Sequence, residues 1–223
     1  MGVKVTGSGG VLTLGTSFPT NYNALSVCGW CKVHTFPGGG AFGEVCLIED
    51  GGDFMGIDFN AGQLEMFNSG SSPVNFTNPA ADQWFFWAIA NSAVNAPKGM
   101  FGMIVLNGST TRDTQTLFTN TPGTAPDHME FLGDEFDEFL IGTMAYLKIW
   151  DAVLTQAEFE NEMWSATPHR MANIRLWSPL WRTTDVKNYS GATTSALTPT
   201  SMSDDDNPPA PYRMISPPIA PIS

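Results

Sequence analysis

The sequence predicts an all-β fold, a two-sheet antiparallel sandwich with one short helix near residues 156–165. Three observations predict it. Apolar residues recur at every second position in short runs, the period of strands with one buried face. Turn residues separate those runs, with 22 Gly and 16 Pro in 223 residues. A single segment carries helix signals, while a 42% hydrophobic and 12% aromatic composition is ample for a two-layer core. The composition is uniform to about residue 200, so the chain reads as one sandwich domain over 1–200 and an acidic, Pro-rich extended arm over 201–223.

In chain order, Val3, Val5, Leu12 and Leu14 in a Gly/Ser/Thr background predict one or two edge strands. Residues 26–33 form a strand that Pro37-Gly38-Gly39-Gly40 breaks, and 42–48 a strand that ends at the acidic, Gly-rich run 49–53. Residues 55–59 and 63–67 flank Asn60-Ala61-Gly62. Ile57 and Phe59 alternate against Leu64 and Met66, a hairpin with Gly62 in a left-handed position. Residues 84–90 make an apolar strand, and 100–106 run into Asn107-Gly108, a strong hairpin signal. Ala145, Leu147 and Ile149 then alternate with Tyr146, Lys148 and Trp150. Thr155 precedes Glu158 by three residues, the spacing of a capping box, in which each side chain satisfies a free backbone donor near the other. In the helix that follows, Phe159 and Met163 face the sheet while Glu160 and Glu162 are expected in water. Residues 173–180 predict a returning strand.

The formal net charge is −12, from 22 acids against 10 Lys and Arg. Phosphate backbones and anionic lipid repel such a chain, which argues against nucleic acid and membrane surfaces as partners. No apolar run approaches the roughly 20 residues that cross a bilayer. The N-terminus has no continuous apolar stretch of the secretory kind, which predicts synthesis in a cytoplasm. Cys28, Cys31 and Cys46 cannot all pair. On a strand, Cys28 and Cys31 point to opposite faces, so they read as reduced, packed thiols rather than a redox pair or zinc ligands.

Several segments carry a resemblance. The run FLIGTMAYLKIWDAVLTQAEFENE from Phe139 to Glu162 has a Gly, an alternating strand, Trp-Asp, Leu-Thr and a Glu three residues later. LSVCGWCKVH from Leu25, the strand at Trp84, the strand ending in Asn107-Gly108 and NIRLWSPL from Asn173 recur in the same order. Together they resemble the laminin-G-like, concanavalin A-like jelly rolls over residues 20–200, of the standalone type found in phage structural proteins. The resemblance implies a jelly-roll sandwich, glycan binding in some members, and often one calcium at the sandwich rim. Asp50, Asp53 and Asp58 are the weak metal candidates, since hard oxygen donors in loops suit that ion. No other cofactor is expected.

Jelly-roll β-glucanases place carboxylates on successive same-face strand positions. Here Glu135 and Asp137 share a face, but the next such residue is Phe139, and Glu138 points the other way. The run 134–138 therefore reads as a solvated turn, and no catalytic residue is assigned. His34, His128 and His169 are scattered, and no nucleophile elbow, P-loop or H-E-x-x-H appears. The seven tryptophans, Trp30, Trp84, Trp87, Trp150, Trp164, Trp177 and Trp181, are the stacking candidates for a sugar, with the core as the competing destination for most.

These readings favour a non-enzymatic virion structural protein, a capsid decoration or tail-associated protein made in a host cytoplasm. Its expected partners are the major capsid or other virion proteins and further copies of itself, with Pro208, Pro209, Tyr212, Met214, Ile215 and Ile219 of the arm as contact residues. The alternative is a carbohydrate-binding lectin module at a cell surface or outside the cell, reading glycans.

Overall fold

The computed structural model describes residues 2–5, 9–14, 24–38, 41–50, 53–69, 71–92, 99–117, 128–134, 138–191 and 197–205. Fifteen strands and one helix are described. They run β1 (Gly2–Val5), β2 (Val11–Leu14), β3 (Ala24–Thr35), β4 (Phe42–Asp50), β5 (Asp53–Asn60), β6 (Gln63–Asn68), β7 (Val74–Asn75) and β8 (Trp84–Ser92). They continue β9 (Gly99–Leu106), β10 (Asp113–Leu117), β11 (His128–Phe131), β12 (Ile141–Trp150), α1 (Gln156–Met163), β13 (Ile174–Ser178), β14 (Thr198–Thr200) and β15 (Met202–Asp205). The first sheet has the order β10-β9-β8-β3-β12-β1-β15, with β13 also paired to β12; the second is β14-β2-β11-β4-β5-β6-β7. Every ladder among the described residues is antiparallel, so the predicted all-β jelly-roll sandwich is the observed architecture.

Two hydrophobic clusters decide which surfaces remain open. The larger lies between the sheets and includes Val27, Cys31, Ile57, Phe59, Met66, Trp87, Phe131, Leu147 and Ile149. The second lies on the other face of the first sheet, where Trp30, Phe86, Trp150, Phe159 and Met163 bury one another beneath α1. The first sheet's central strands are thus covered on both faces, while the outer face of the second carries a cavity. Cys28 and Cys31 divide between the two clusters, as expected of strand neighbours three apart, and all three thiols are free and buried.

The helix is stapled to its sheet by polar groups. Thr155 and Glu158 form the predicted capping box. The Trp30 indole N–H donates to the Met163 carbonyl (3.0 Å), and the Trp150 indole N–H to the Arg170 carbonyl (2.8 Å). Lys148 and Glu162 form a buried ion pair at 2.9 Å. Glu162, expected in water, is therefore buried. It lies three residues after Phe159, on the same helical face, and the sheet offers it an ammonium.

The alternation in β12 also differs from expectation in one place. Tyr146 has φ +55°, and the ladder to β3 shifts register between Ala145 and Lys148. That irregularity turns Ala145 toward the helix side, with Met144 in the inter-sheet core, and the simple period of two resumes only from Leu147.

The sheets extend to Asp205, beyond the composition change at 201, because β14 pairs with β2 and β15 with β1. Asp205 is anchored by Lys32 (3.2 Å), His34 (3.0 Å) and the Thr143 hydroxyl, while the Nδ1 of His34 meets Asp82 at 2.5 Å. The arm residues Pro208, Pro209, Tyr212, Met214, Ile215 and Ile219 lie outside the described residues, as do Glu135 and Asp137.

Candidate functional site

Strand register alone builds the site. The turn Ala61-Gly62 has φ +49° and +83°, which gives a two-residue hairpin that pairs Asn60 with Gln63 and Asp58 with Glu65. In β4, a bulge between Glu44 and Cys46 turns both Val45 and Cys46 into the core, so that Glu44 and Leu47 both face outward. Side chains of β11, β4, β5 and β6 then stand in rows across the outer face: Phe42, Asn60 and Gln63; Glu44, Asp58 and Glu65; Glu130, Leu47, Gly56 and Phe67; His128, Glu49 and Phe54.

A cavity of about 680 Å³ lies over these rows, a volume suited to a small ligand. Phe42, Phe54 and Phe67 line it, along with Asn60, Asn68, Ser69 and Ser71 and the carboxylates of Glu44, Glu49, Asp58, Glu65, Asp134 and Glu138. Phe54 is 41% exposed and lies 5.9 Å from the Phe67 ring. No Lys or Arg is among its lining residues.

Glu44 and Asp58 are each only 4% exposed, although carboxylates are seldom buried without a cationic partner. Burial, then the neighbouring carboxylates of Asp58, Asp134, Glu138 and Glu130, hold Glu44 well above the usual carboxylate range. Burial, then Glu65 and Glu138, push Asp58 up to about 8. Glu138 is raised by burial and by Asp134. Oε2 of Glu44 and Oδ1 of Asp58 are buried without a hydrogen-bond partner. Shifted carboxylates gathered in one cavity are a mark of a functional site.

Folded Asp58 therefore keeps a proton that the unfolded chain gives up near its ordinary value of 3.8. Between that value and about 8 the folded state binds more protons, so its stability is fullest at the acid end and declines as pH rises. Raising the pH from 5 to 8 is expected to cost on the order of 3–4 kcal/mol, about 6–16 °C in Tm. Asp58→Asn should flatten that decline in a thermal-unfolding series; an unchanged slope would show that Asp58 is ionised throughout.

The structure does not bring the three metal candidates together. Asp50 pairs with Asp53 at the turn end of the β4–β5 hairpin, whereas Asp58 pairs with Glu44 near the other end. The group that does converge is Glu44, Asp134 and Glu138, each offering a carboxylate oxygen within 4.8 Å of the others. Asp134 is buried, not part of a solvated turn. Its Oδ1 accepts from the Glu138 backbone N–H (2.9 Å), and the Glu138 carbonyl accepts from the Glu44 N–H (3.2 Å), which brings the segment back against β4.

None of the seven tryptophans lines the cavity. Trp30, Trp84, Trp87 and Trp150 are buried, and Trp164 and Trp181 are exposed elsewhere. The phenylalanines of the cavity escaped the sequence reading because alternation marks a position's face, not which sheet face stays open. The hairpin expected around Asn60-Ala61-Gly62 is present with a shorter turn, because Asn60 itself pairs with Gln63.

No protein-family model matches the chain, and no curated protein matches it. Solved structures match in fold. A Bacteroides ovatus protein described as carbohydrate-binding aligns over 92% of this chain at 13% identity and a TM-score of 0.64. The heptameric SAP-like pentraxin of Limulus polyphemus aligns over 92% of this chain and 94% of its own, at 15% identity and a TM-score of 0.57. Tailspike protein 2 of an Escherichia coli O157:H7 bacteriophage aligns over 75% of this chain at 11% identity and a TM-score of 0.56. The chain spans 59% of the Bacteroides protein and 25% of the tailspike. At these identities the likeness establishes the architecture alone, a two-sheet jelly-roll sandwich.

Proposed function

We propose that this protein is a non-enzymatic glycan-binding module that reads its ligand on the outer face of the second sheet. The observation that carries this reading is the cavity itself. It sets the half-exposed rings of Phe42 and Phe54 beside amide and hydroxyl groups of Asn60, Asn68, Ser69 and Ser71. Sugars present apolar ring faces and hydroxyl edges, and such a site meets both, with aromatic faces for the first and hydrogen-bonding groups for the second. The fold likeness to a carbohydrate-binding protein and to a phage tailspike supports the same reading. Binding is proposed over hydrolysis because the sequence offers no carboxylate series of the glucanase kind: Glu135 and Asp137 share a strand face, and the next residue on that face is Phe139.

A glycan array followed by titration of the best ligand tests the proposal. Saturable binding is expected, weakened about tenfold by Phe54→Ala, in line with the loss of one stacking ring. Absence of binding at millimolar sugar would overturn it.

The finer reading we propose is a module on a virion surface, a capsid decoration or tail-associated protein that adheres to host glycans. Repetition of one weak site around a symmetric particle gives avidity from such contacts. Mass spectrometry of purified particles tests that placement, and absence of the polypeptide would end it.

A further inference from the structure

We infer that the cavity selects sugars carrying a free, protonated amine, whose ammonium group is held between Glu44 and Asp58. This rests on the glycan reading above and names its ligand class. The charge of the lining comes first. Glu44, Glu49, Asp58, Glu65, Asp134 and Glu138 bring carboxylates to the cavity, and no Lys or Arg accompanies them. Such a lining repels sugars that bear carboxylate, sulfate or phosphate groups and attracts cationic ones.

The second observation is what two of these side chains lack. Glu44 and Asp58 are cross-strand partners in the β4–β5 ladder, and each is only 4% exposed. Glu44 Oε2 and Asp58 Oδ1 are buried without a hydrogen-bond partner. Glu65, the third acid of the row, accepts from Asn60 Nδ2 (3.1 Å), so the orphaned acceptors of the row are those of Glu44 and Asp58. Asn68 Oδ1 is a further orphaned acceptor of the lining, and among the described residues no donor of the lining is left so. Buried acceptors without donors are costly to fold around. The imbalance is one-sided, and it calls for a ligand rich in donors.

An ammonium group fits that demand. Directly opposed side chains of neighbouring strands stand about 5 Å apart at Cβ, so one small group can serve both carboxyls. An ammonium offers three donors and a positive charge, whereas a hydroxyl or an N-acetyl amide offers one donor and no charge. Phe42 and Phe54, half-exposed at the same cavity, offer apolar rings to the body of the sugar, and an aromatic face also attracts a cation. Binding is then linked to protons. Burial, then Glu65 and Glu138, push Asp58 up to about 8, so at lower pH the empty cavity holds it neutral. An ammonium beside it favours the ionised form, so its arrival drives protons out.

The test titrates the full chain by calorimetry at about pH 6, in chelator and about 0.15 M salt, where long-range attraction is screened. The ligands are the 1,4-linked β-disaccharides of glucosamine, N-acetylglucosamine and glucose, which differ only in the substituent at C2. The glucosamine disaccharide should bind at least about tenfold tighter than the other two. It alone should release protons, read as a binding enthalpy that changes with the ionisation heat of the buffer. Asp58→Asn and, independently, Glu44→Gln should remove most of that preference and leave affinity for the neutral sugars little changed. Glu160→Gln removes the same charge from α1, on the far side of the first sheet, and should leave the preference intact. An equal loss in Asp58→Asn and Glu160→Gln would overturn the site, since attraction would then be to bulk charge. Equal or tighter binding of the neutral disaccharides would overturn the inference and leave the glycan reading standing, whereas no binding of any of the three would remove both.

Discussion

Lys148→Ala should lower the stability of the fold by about 3–5 kcal/mol, the cost of leaving a buried carboxylate without its cation. Lys148 and Glu162 are each 1% exposed at the side chain. The ammonium donates to Glu162 Oε2 (2.9 Å), to the Glu162 carbonyl (2.9 Å) and to the Ser165 carbonyl (2.7 Å), so all three of its donors are used. Two of those acceptors are carbonyls at and just past the end of α1, a terminus with no basic residue of its own. The sheet therefore supplies the cation that the helix lacks. Urea denaturation checks the figure. The double substitution Lys148→Met with Glu162→Leu should recover much of the loss, since it removes both charges together. A single-variant loss under 1 kcal/mol would mean that the pair is solvated.

Gly56→Ala is the second large effect. A Cβ at this position would lie 2.0 Å from the Cys46 carbonyl oxygen and 2.8 Å from the Phe67 ring. The ring can shift, but the carbonyl belongs to the β4 backbone, so β4 and β5 must part where the cavity floor is built. The expected cost is at least about 3 kcal/mol, beyond ordinary overpacking. Glycan affinity should fall with it, because Phe67 stands over this position. Gly38→Ala is the matched control, since its Cβ would meet nothing within 4 Å and should change stability by less than about 0.5 kcal/mol. Equal stabilities for the two variants in urea would show that the β4–β5 spacing is not what the structure implies.

Both effects arise where sequence reading stopped short. Alternation sets Lys148 opposite Leu147 and Ile149 on β12, and the structure shows that this second face meets the helix. Glu162 could have been placed by its spacing, since residues three apart in a helix share a face and Phe159 was already assigned to the sheet. Gly56 sits in a plain alternating strand, and nothing in the local pattern says that the Cys46 carbonyl of the neighbouring strand occupies the space a Cβ would need.

The residues of this chain, read a few at a time, determined its strands, the tight turn at Ala61-Gly62, the Thr155–Glu158 cap and the antiparallel plan. Each of these depends on side-chain period or backbone preference over a handful of positions, and that information is local. The carboxylates of the candidate site come from β4, β5, β6 and the segment before β12, far apart along the chain. Their meeting depends on inter-strand register, on the bulge after Glu44 and on which sheet face the helix leaves open. Those are properties of the packed sandwich, because only there do desolvation and like charge act on the same few ångströms.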